Sequence, residues 1–255
     1  MKEKSSTADI FGIPFPKRGK DDTYNIISDM LSKRDNIKIF TPNAEILWKS
    51  KKDPSLKALL LSADMLLPDG IGTVLAAGLS GNAIPCRITG IDTAEYILSV
   101  AERKGLSVYL LGGKDGVADR AACALKKRFP KLEISGVHHG YFSSEDEKNG
   151  VLAHITRTHP DILFVCLGFP AQERFIVENT PKLPFLRLSM GLGGSLDVWS
   201  GDLRRAPKIM RAAGLEWIFR LVSDPRRLKR LPYLVHFTTA VVRDRLIKQP
   251  PYYQP

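Results

Sequence analysis

Asp161-Ile-Leu-Phe-Val-Cys-Leu167, followed at once by Gly168-Phe-Pro-Ala-Gln-Glu173, decides the fold. An unbroken apolar run with no polar alternation fits a strand covered on both faces. Glycine and proline then break the strand, and Ala171 opens a segment with helical spacing of apolar residues. A buried strand, a tight polar turn and a helix make the repeating unit of a parallel α/β sheet.

The same unit recurs outward from this stretch. Strands are expected at 37–40, 65–67, 107–111, 132–137, 161–167 and 185–190, and helices at 44–50, 54–62, 71–79, 92–104, 116–128, 145–158, 171–178 and 206–221. That alternation predicts an α/β fold with a mostly parallel sheet and flanking helices, occupying residues 1–200. Residues 201–255 read as a separate basic helical appendage, with twelve Lys or Arg against four acids, a net +8 out of +11 for the chain of 255. Within it Asp224-Pro225 is a good helix start, because Asp caps free amides and Pro suits the first helical position.

Charge and cysteine content narrow the class. A basic tail on a near-neutral body calls for an anionic partner, and nucleic acid, anionic lipid and diphosphate all qualify. Cys86, Cys123 and Cys166 show no C-x-x-C pairing, which fits a reducing compartment and small buried side chains. Residues 1–20 are polar and do not read as a signal peptide. The best apolar run, 233–242, is half the roughly 20 residues a membrane crossing needs, so membrane contact is expected to be peripheral.

In open parallel sheets ligands bind beyond the carboxyl ends of the strands, and the unusual polar and glycine residues gather there. Asp69, in Pro68-Asp69-Gly70, follows a buried strand. It reads either as a general base or as the cap of the helix beginning near Ile71. Thr41 and Asn43 either orient a hydroxylated ligand or hold the strand-to-helix turn. Arg87 is a phosphate-neutralising fork or a surface cation. Gly112, Gly113 and Gly193 could admit a ligand to backbone amides at a helix start. Gln172 and Glu173 offer an amide for hydroxyls or a base edge, or are only polar first-turn residues.

Several chemistries find no support. The glycine turns match neither G-x-G-x-x-G with a fitting acid nor G-x-x-x-x-G-K-[ST], and H-E-x-x-H is absent. His138-His139 and the three other histidines lack a recognisable metal-ligand spacing. Without a D-x-D pair in the turns, a diphosphate would be met by arginine and backbone amides, with no metal or other cofactor. Aromatic residues interleave with the tail cations, yet no nucleic-acid motif appears, so nucleic acid is not the expected partner.

At these turns the chain resembles the WecG/TagA/CpsF family of bacterial glycosyltransferases. The resemblance runs in order through Thr41-Pro-Asn-Ala-Glu45, Pro68-Asp-Gly-Ile-Gly72, Arg87-Ile-Thr-Gly-Ile-Asp92, Leu111-Gly-Gly113 and Gly168-Phe-Pro-Ala-Gln-Glu173. It continues through Gly191-Leu-Gly-Gly-Ser-Leu-Asp197 and Arg204-Arg-Ala-Pro207 to Gly214-Leu-Glu-Trp217. It implies a Rossmann-like, metal-independent, inverting enzyme at the cytoplasmic face of the membrane. Such an enzyme moves N-acetylmannosamine from its UDP form to undecaprenyl-diphosphate-linked N-acetylglucosamine. UDP-glucose or UDP-N-acetylmannosaminuronate remains an alternative donor. By the same resemblance Asp69 is the general base, and Thr41, Asn43, Arg87 and Gln172 line the pocket. Arg220, Arg227 and Arg230 of the appendage meet the diphosphate. Leu196 and Ser200 depart from the family's usual aromatic and alanine, which bears on packing or donor choice. Whether the chain forms a homo-oligomer is not legible.

Overall fold

The computed structural model describes residues 7–33, 35–81, 83–224, 228–229 and 231–248, with side chains as far as Arg245. Six strands form one parallel sheet: β3 (Ile37–Phe40), β4 (Met65–Leu66), β5 (Ser107–Gly112), β6 (Glu133–His138), β7 (Ile162–Cys166) and β8 (Leu188–Gly191). Their spatial order is β4-β3-β8-β7-β5-β6, and every neighbouring pair is parallel. All six carboxyl ends therefore share one edge. The α/β expectation holds, and each predicted strand is found within a few residues of its expected bounds.

Side chains along the central strands alternate between two apolar layers. Val108, Leu110, Ile162 and Phe164 pack on one face with Ile97, Ala101 and Leu125. Tyr109, Leu111, Leu163 and Val165 pack on the other with Leu47, Leu60 and Ile176. Because both faces are covered, β7 is buried throughout, as its unbroken apolar run requires.

Local chemistry starts the helices near the sheet. α2 (Ala44–Lys52) is capped by Asn43, whose side chain accepts from the Ile46 amide at 3.1 Å. α3 (Pro54–Leu61) is capped by Asp53 and begins on proline. α4 (Ile71–Leu79) follows Gly70, which makes no side-chain cap. Farther along, α5 (Gly90–Lys104), α6 (Val117–Arg128), α7 (Glu145–Thr158) and α8 (Ala171–Asn179) return the chain across the sheet. The short α9 (Ser195–Trp199) follows β8.

The amino end and the tail depart from expectation. The polar-looking start contains the antiparallel hairpin β1 (Thr7–Ile10) and β2 (Ile13–Pro16), then α1 (Lys20–Ser32). Ala8, Ile10, Ile13 and Phe15 of the hairpin are buried, a period-two pattern too short to stand out in the sequence. The single helix expected at 206–221 is two: α10 (Lys208–Ala212) and α11 (Glu216–Ser223). Gly214 separates them at φ +73°, a conformation that ends a helix. A Cβ there would meet Ile71 of α4 at 3.1 Å, so the tail turn lies hard against the body. α12 (Leu231–Lys248) then packs along α2 and α4, burying Phe237 and Val241 in the second apolar layer. The proposed start at Pro225 lies outside the described residues.

Candidate active site

At the carboxyl ends of β3 and β4, a cavity of about 430 Å³ opens between the sheet body and the tail. Asn43 and Glu45 line it from the turn after β3, and Asp69, Gly70 and Gly72 from the turn after β4. Arg87 enters from the segment before α5, and Glu216, Trp217 and Arg220 from α11. The rest of the wall is mostly apolar, with Leu75 and Leu79 of α4 facing Leu231, Leu234 and Phe237 of α12.

Asp69 is the strand-end carboxylate that lines this cavity. The strand end and the Gly70 turn hold it, and α4 starts after Gly70 with no side-chain cap bond, so the helix-cap reading of the Asp69 side chain is not realised. Its carboxyl keeps a partial opening to the cavity but is otherwise enclosed by protein. That enclosure pushes its pKa up to about 6, against the pull of Arg220 and Arg87, with Glu216 adding to the rise. A carboxylate so placed is ionised at neutral pH and more basic than an ordinary Asp, which suits a general base.

The cations opposite it are held by Glu216. Its Oε1 accepts from Arg220 Nη2 at 2.5 Å, and its Oε2 lies 3.6 Å from Arg87 Nη2. Arg87 also donates to the main-chain oxygen of Arg211 at 3.2 Å. Sequence reasoning passed over Glu216 as a site residue. Its signal was the motif Gly214-Leu-Glu-Trp217, where a charged residue opens a helix beside two aromatics.

The other expected site residues divide into two groups. Asn43 lines the cavity while its Oδ1 caps α2, so the turn-holding reading is realised together with a place at the site. Thr41 lies behind, against Gly90 at the start of α5, outside the cavity lining. Gln172 is buried: its Oε1 accepts from the amides of Gly168 at 3.2 Å and Gly193 at 2.8 Å. Its Nε2 donates to Glu173 at 2.9 Å. The Gly193 amide is thus occupied by Gln172. Gly112 permits close strand packing, since a Cβ there would come within 2.4 Å of the Cys166 carbonyl oxygen. Gly113 donates to that same carbonyl at 3.4 Å. These residues interlock the turns after β5, β7 and β8, and none of them lines the cavity. Arg220 does line it, while Arg227 and Arg230 lie outside the described residues.

Glu173, named beside Gln172 from the sequence, does not line the cavity either. It is buried, and its Oε2 has no hydrogen-bond partner. Burial pushes its carboxyl above the usual range. The shift follows from that burial, because a carboxylate oxygen kept from water and without a partner disfavours the anion.

A parallel α/β sheet here carries a carboxylate, two arginines and an apolar wall at its carboxyl edge, an arrangement that suits transfer of a group from a phosphate-bearing donor. Residues 8–251 match the model of the glycosyl transferase WecG/TagA/CpsF family, and the protein belongs to that family. It is a glycosyltransferase. An N-acetylglucosaminyldiphosphoundecaprenol N-acetyl-beta-D-mannosaminyltransferase of Bacillus subtilis is 36% identical over 217 residues, 85% of this chain and 83% of its own. A protein of the same description from Bacillus spizizenii is 36% identical over 215 residues, 84% of this chain and 82% of its own. Its counterpart in Staphylococcus aureus strain MRSA252 is 32% identical over 249 residues, 96% of each chain. Among the described residues no helix is long and apolar enough to cross a membrane.

Proposed function

We propose that this enzyme transfers N-acetylmannosamine from UDP-N-acetylmannosamine to undecaprenyl-diphosphate-linked N-acetylglucosamine, with Asp69 as general base. The observation that carries the reading is Asp69 itself, enclosed, raised to about 6 and set in one cavity with Arg87 and Arg220. The matching activity of relatives at 36% identity supports the choice of sugars.

In this reaction the acceptor hydroxyl attacks the anomeric carbon of the donor from the face opposite UDP. The new C–O bond forms as the bond to the diphosphate oxygen breaks, and the configuration inverts. The hydroxyl proton passes to Asp69 late, as its oxygen gains positive charge. Arg87 and Arg220 meet the charge that gathers on the leaving diphosphate, and Arg227 and Arg230 are proposed to join them. The apolar wall from α4 and α12 excludes water, which would otherwise compete with the acceptor.

No step calls for a metal. Glu45, Asp69 and Glu216 line the cavity, but they are not drawn together into a metal-sized cluster. Glu45 pairs with Lys49 at 2.7 Å, and Glu216 is engaged by Arg220.

The tail is proposed to act as a unit that closes the site and rests on the anionic cytoplasmic face of the membrane. Leu75, Trp217 and Val235 are exposed at 58%, 43% and 61%, on the helices that form the cavity wall. Apolar side chains set among cations suit the headgroup level, and a lipid-linked acceptor would enter from there.

A panel of UDP-sugars with a synthetic prenyl-diphosphate-N-acetylglucosamine, read by mass spectrometry, tests the assignment. Turnover of UDP-N-acetylmannosamine above all others is the expected result. Preference for UDP-glucose or UDP-N-acetylmannosaminuronate would keep the mechanism and replace the donor. Failure of every UDP-sugar would overturn the reading.

A further inference from the structure

β6 ends at His138, His139 follows it, and the chain then passes to α7, whose first turn holds Glu147. One ligand atom from each of His138, His139 and Glu147 lies within 4.8 Å of the others. None of the three lines the Asp69 cavity. We propose that these side chains bind a single borderline-soft divalent ion of the Zn²⁺ type, which clips the β6–α7 loop over the Gly112-Gly113 turn.

The donor set is the first argument. Two imidazoles and one carboxylate, with a fourth position open, are a familiar zinc environment. The same set suits Mg²⁺ or Ca²⁺ poorly, because both prefer oxygen throughout.

Orientation is the second argument. His138 Nδ1 sits 2.8 Å from the main-chain oxygen of His139. A carbonyl only accepts, so Nδ1 carries the proton and Nε2 keeps its lone pair, as in metal-ligating histidines. Glu147 is fixed in the same manner: its Oε2 accepts from the amide and hydroxyl of Ser143, each at 2.7 Å. Its Oε1 faces His139 Nε2 at 3.6 Å. Donor atoms around a tetrahedral zinc, with bonds of about 2.0–2.1 Å, lie about 3.4 Å apart, so the His139–Glu147 pair is already near that spacing and the others, within 4.8 Å, would draw in on binding. The Tyr141 amide donates to His139 Nδ1 at 3.4 Å, a marginal bond that is lost at small cost when the proton moves to Nδ1 and frees Nε2 for the ion.

Helix capping explains only part of this arrangement. Ser144 Oγ accepts from the Glu147 amide at 3.2 Å, and Glu147 reaches back to Ser143, as in a capping box. That role uses Oε2 and leaves Oε1 turned to the imidazoles.

Position gives the ion its task. The Gly140 amide donates to Gly113 O at 2.9 Å, and a Cβ on Gly140 would lie 3.0 Å from Gly112 Cα. Fastening this loop would stiffen the interlocked half of the sheet edge without touching Asp69.

The test uses the untagged full chain, stripped with chelator and titrated with Zn²⁺ by calorimetry and with Co²⁺ by visible absorption. One saturable equivalent, a tetrahedral Co²⁺ spectrum and a raised melting temperature are expected, with no response to Mg²⁺. Ser143→Ala should weaken binding about 10-fold, as loss of an outer-shell partner does. His138→Ala and Glu147→Gln should weaken it further, while His236→Ala leaves it unchanged. Glu147→Gln keeps the capping shape, and circular dichroism of each metal-free variant separates lost ligands from lost fold. Absence of saturable binding, or binding that persists in both His138→Ala and Glu147→Gln, would overturn the proposal.

Discussion

Arg87 of the sheet body donates to the main-chain oxygen of Arg211 in the tail, 124 residues later, at 3.2 Å. The same guanidinium approaches Glu216, so one side chain both latches the tail and faces the cavity.

Removing that latch should cost turnover and stability together. Arg87→Ala is predicted to lower turnover by about 10²-fold or more, as loss of a charge-stabilising donor does. It should also lower stability by about 1–3 kcal/mol, because the largely buried Arg87 side chain and its bond to the Arg211 main-chain oxygen, which fastens the tail, are lost together. Arg220 has a side chain 40% exposed, so Arg220→Ala should cut turnover with a much smaller change in melting temperature. Equal melting shifts in the two variants would contradict this division.

Asp69→Asn preserves shape and removes basicity. Turnover should fall by about 10²–10⁴-fold while UDP-sugar affinity changes little. In the wild type, activity should decline as pH falls through about 6, where Asp69 takes up its proton. A variant retaining more than about a third of the wild-type rate on a chemistry-limited substrate would deprive Asp69 of the role.

The same substitution should stabilise the fold, and the sign follows from linkage. Folding raises the Asp69 pKa from 3.8 to about 6, so between those values the native state holds more protons than the unfolded one. Stability is therefore lost as pH rises through this window, by about 3 kcal/mol at about 1.4 kcal/mol per unit. Asp69→Asn should melt above wild type at pH 7.5 and converge with it below about pH 4. Melting curves at several pH values decide it.

Turnover should survive exhaustive chelation if, as proposed, Arg87 and Arg220 meet the charge of the leaving diphosphate. Activity abolished by EDTA and restored by Mg²⁺ or Mn²⁺ would show that the leaving group is neutralised differently.

Binding of the chain to anionic vesicles should be weak and salt-sensitive. Three or four tail cations at the surface, at roughly 1 kcal/mol each, give about 3–4 kcal/mol. Co-sedimentation should fall sharply between low and high salt. Attachment unaffected by salt would point to an apolar anchor.

The sheet was legible because buried parallel strands leave unbroken apolar runs, as at Ile162–Cys166. The hairpin was not, since its four-residue strands give only two inward side chains each. Gly214 hid the break between α10 and α11, because isolated glycines also occur inside helices. Asp69 and Asn43 could be picked out as polar residues after predicted strands, and Arg87 as a charge beside an apolar stretch. Glu216 could not, because its importance arises from the tail folding back against the body. Gln172 was conspicuous for a different reason from the one its chemistry suggested: its amide is spent within the fold. The His138, His139 and Glu147 cluster has no sequence spacing to betray it, because a loop and a helix start bring the third residue in.

Gly214 has a further consequence for the cavity. A single added carbon there would press on Ile71, beside the Asp69 turn, at 3.1 Å and meet a backbone conformation that L side chains rarely adopt. The clearance between catalytic body and tail is thus gauged by a methyl group that the chain leaves out. Any larger residue would act as a wedge, displacing the tail outward and carrying Glu216 and Arg220 away from Arg87 and Asp69.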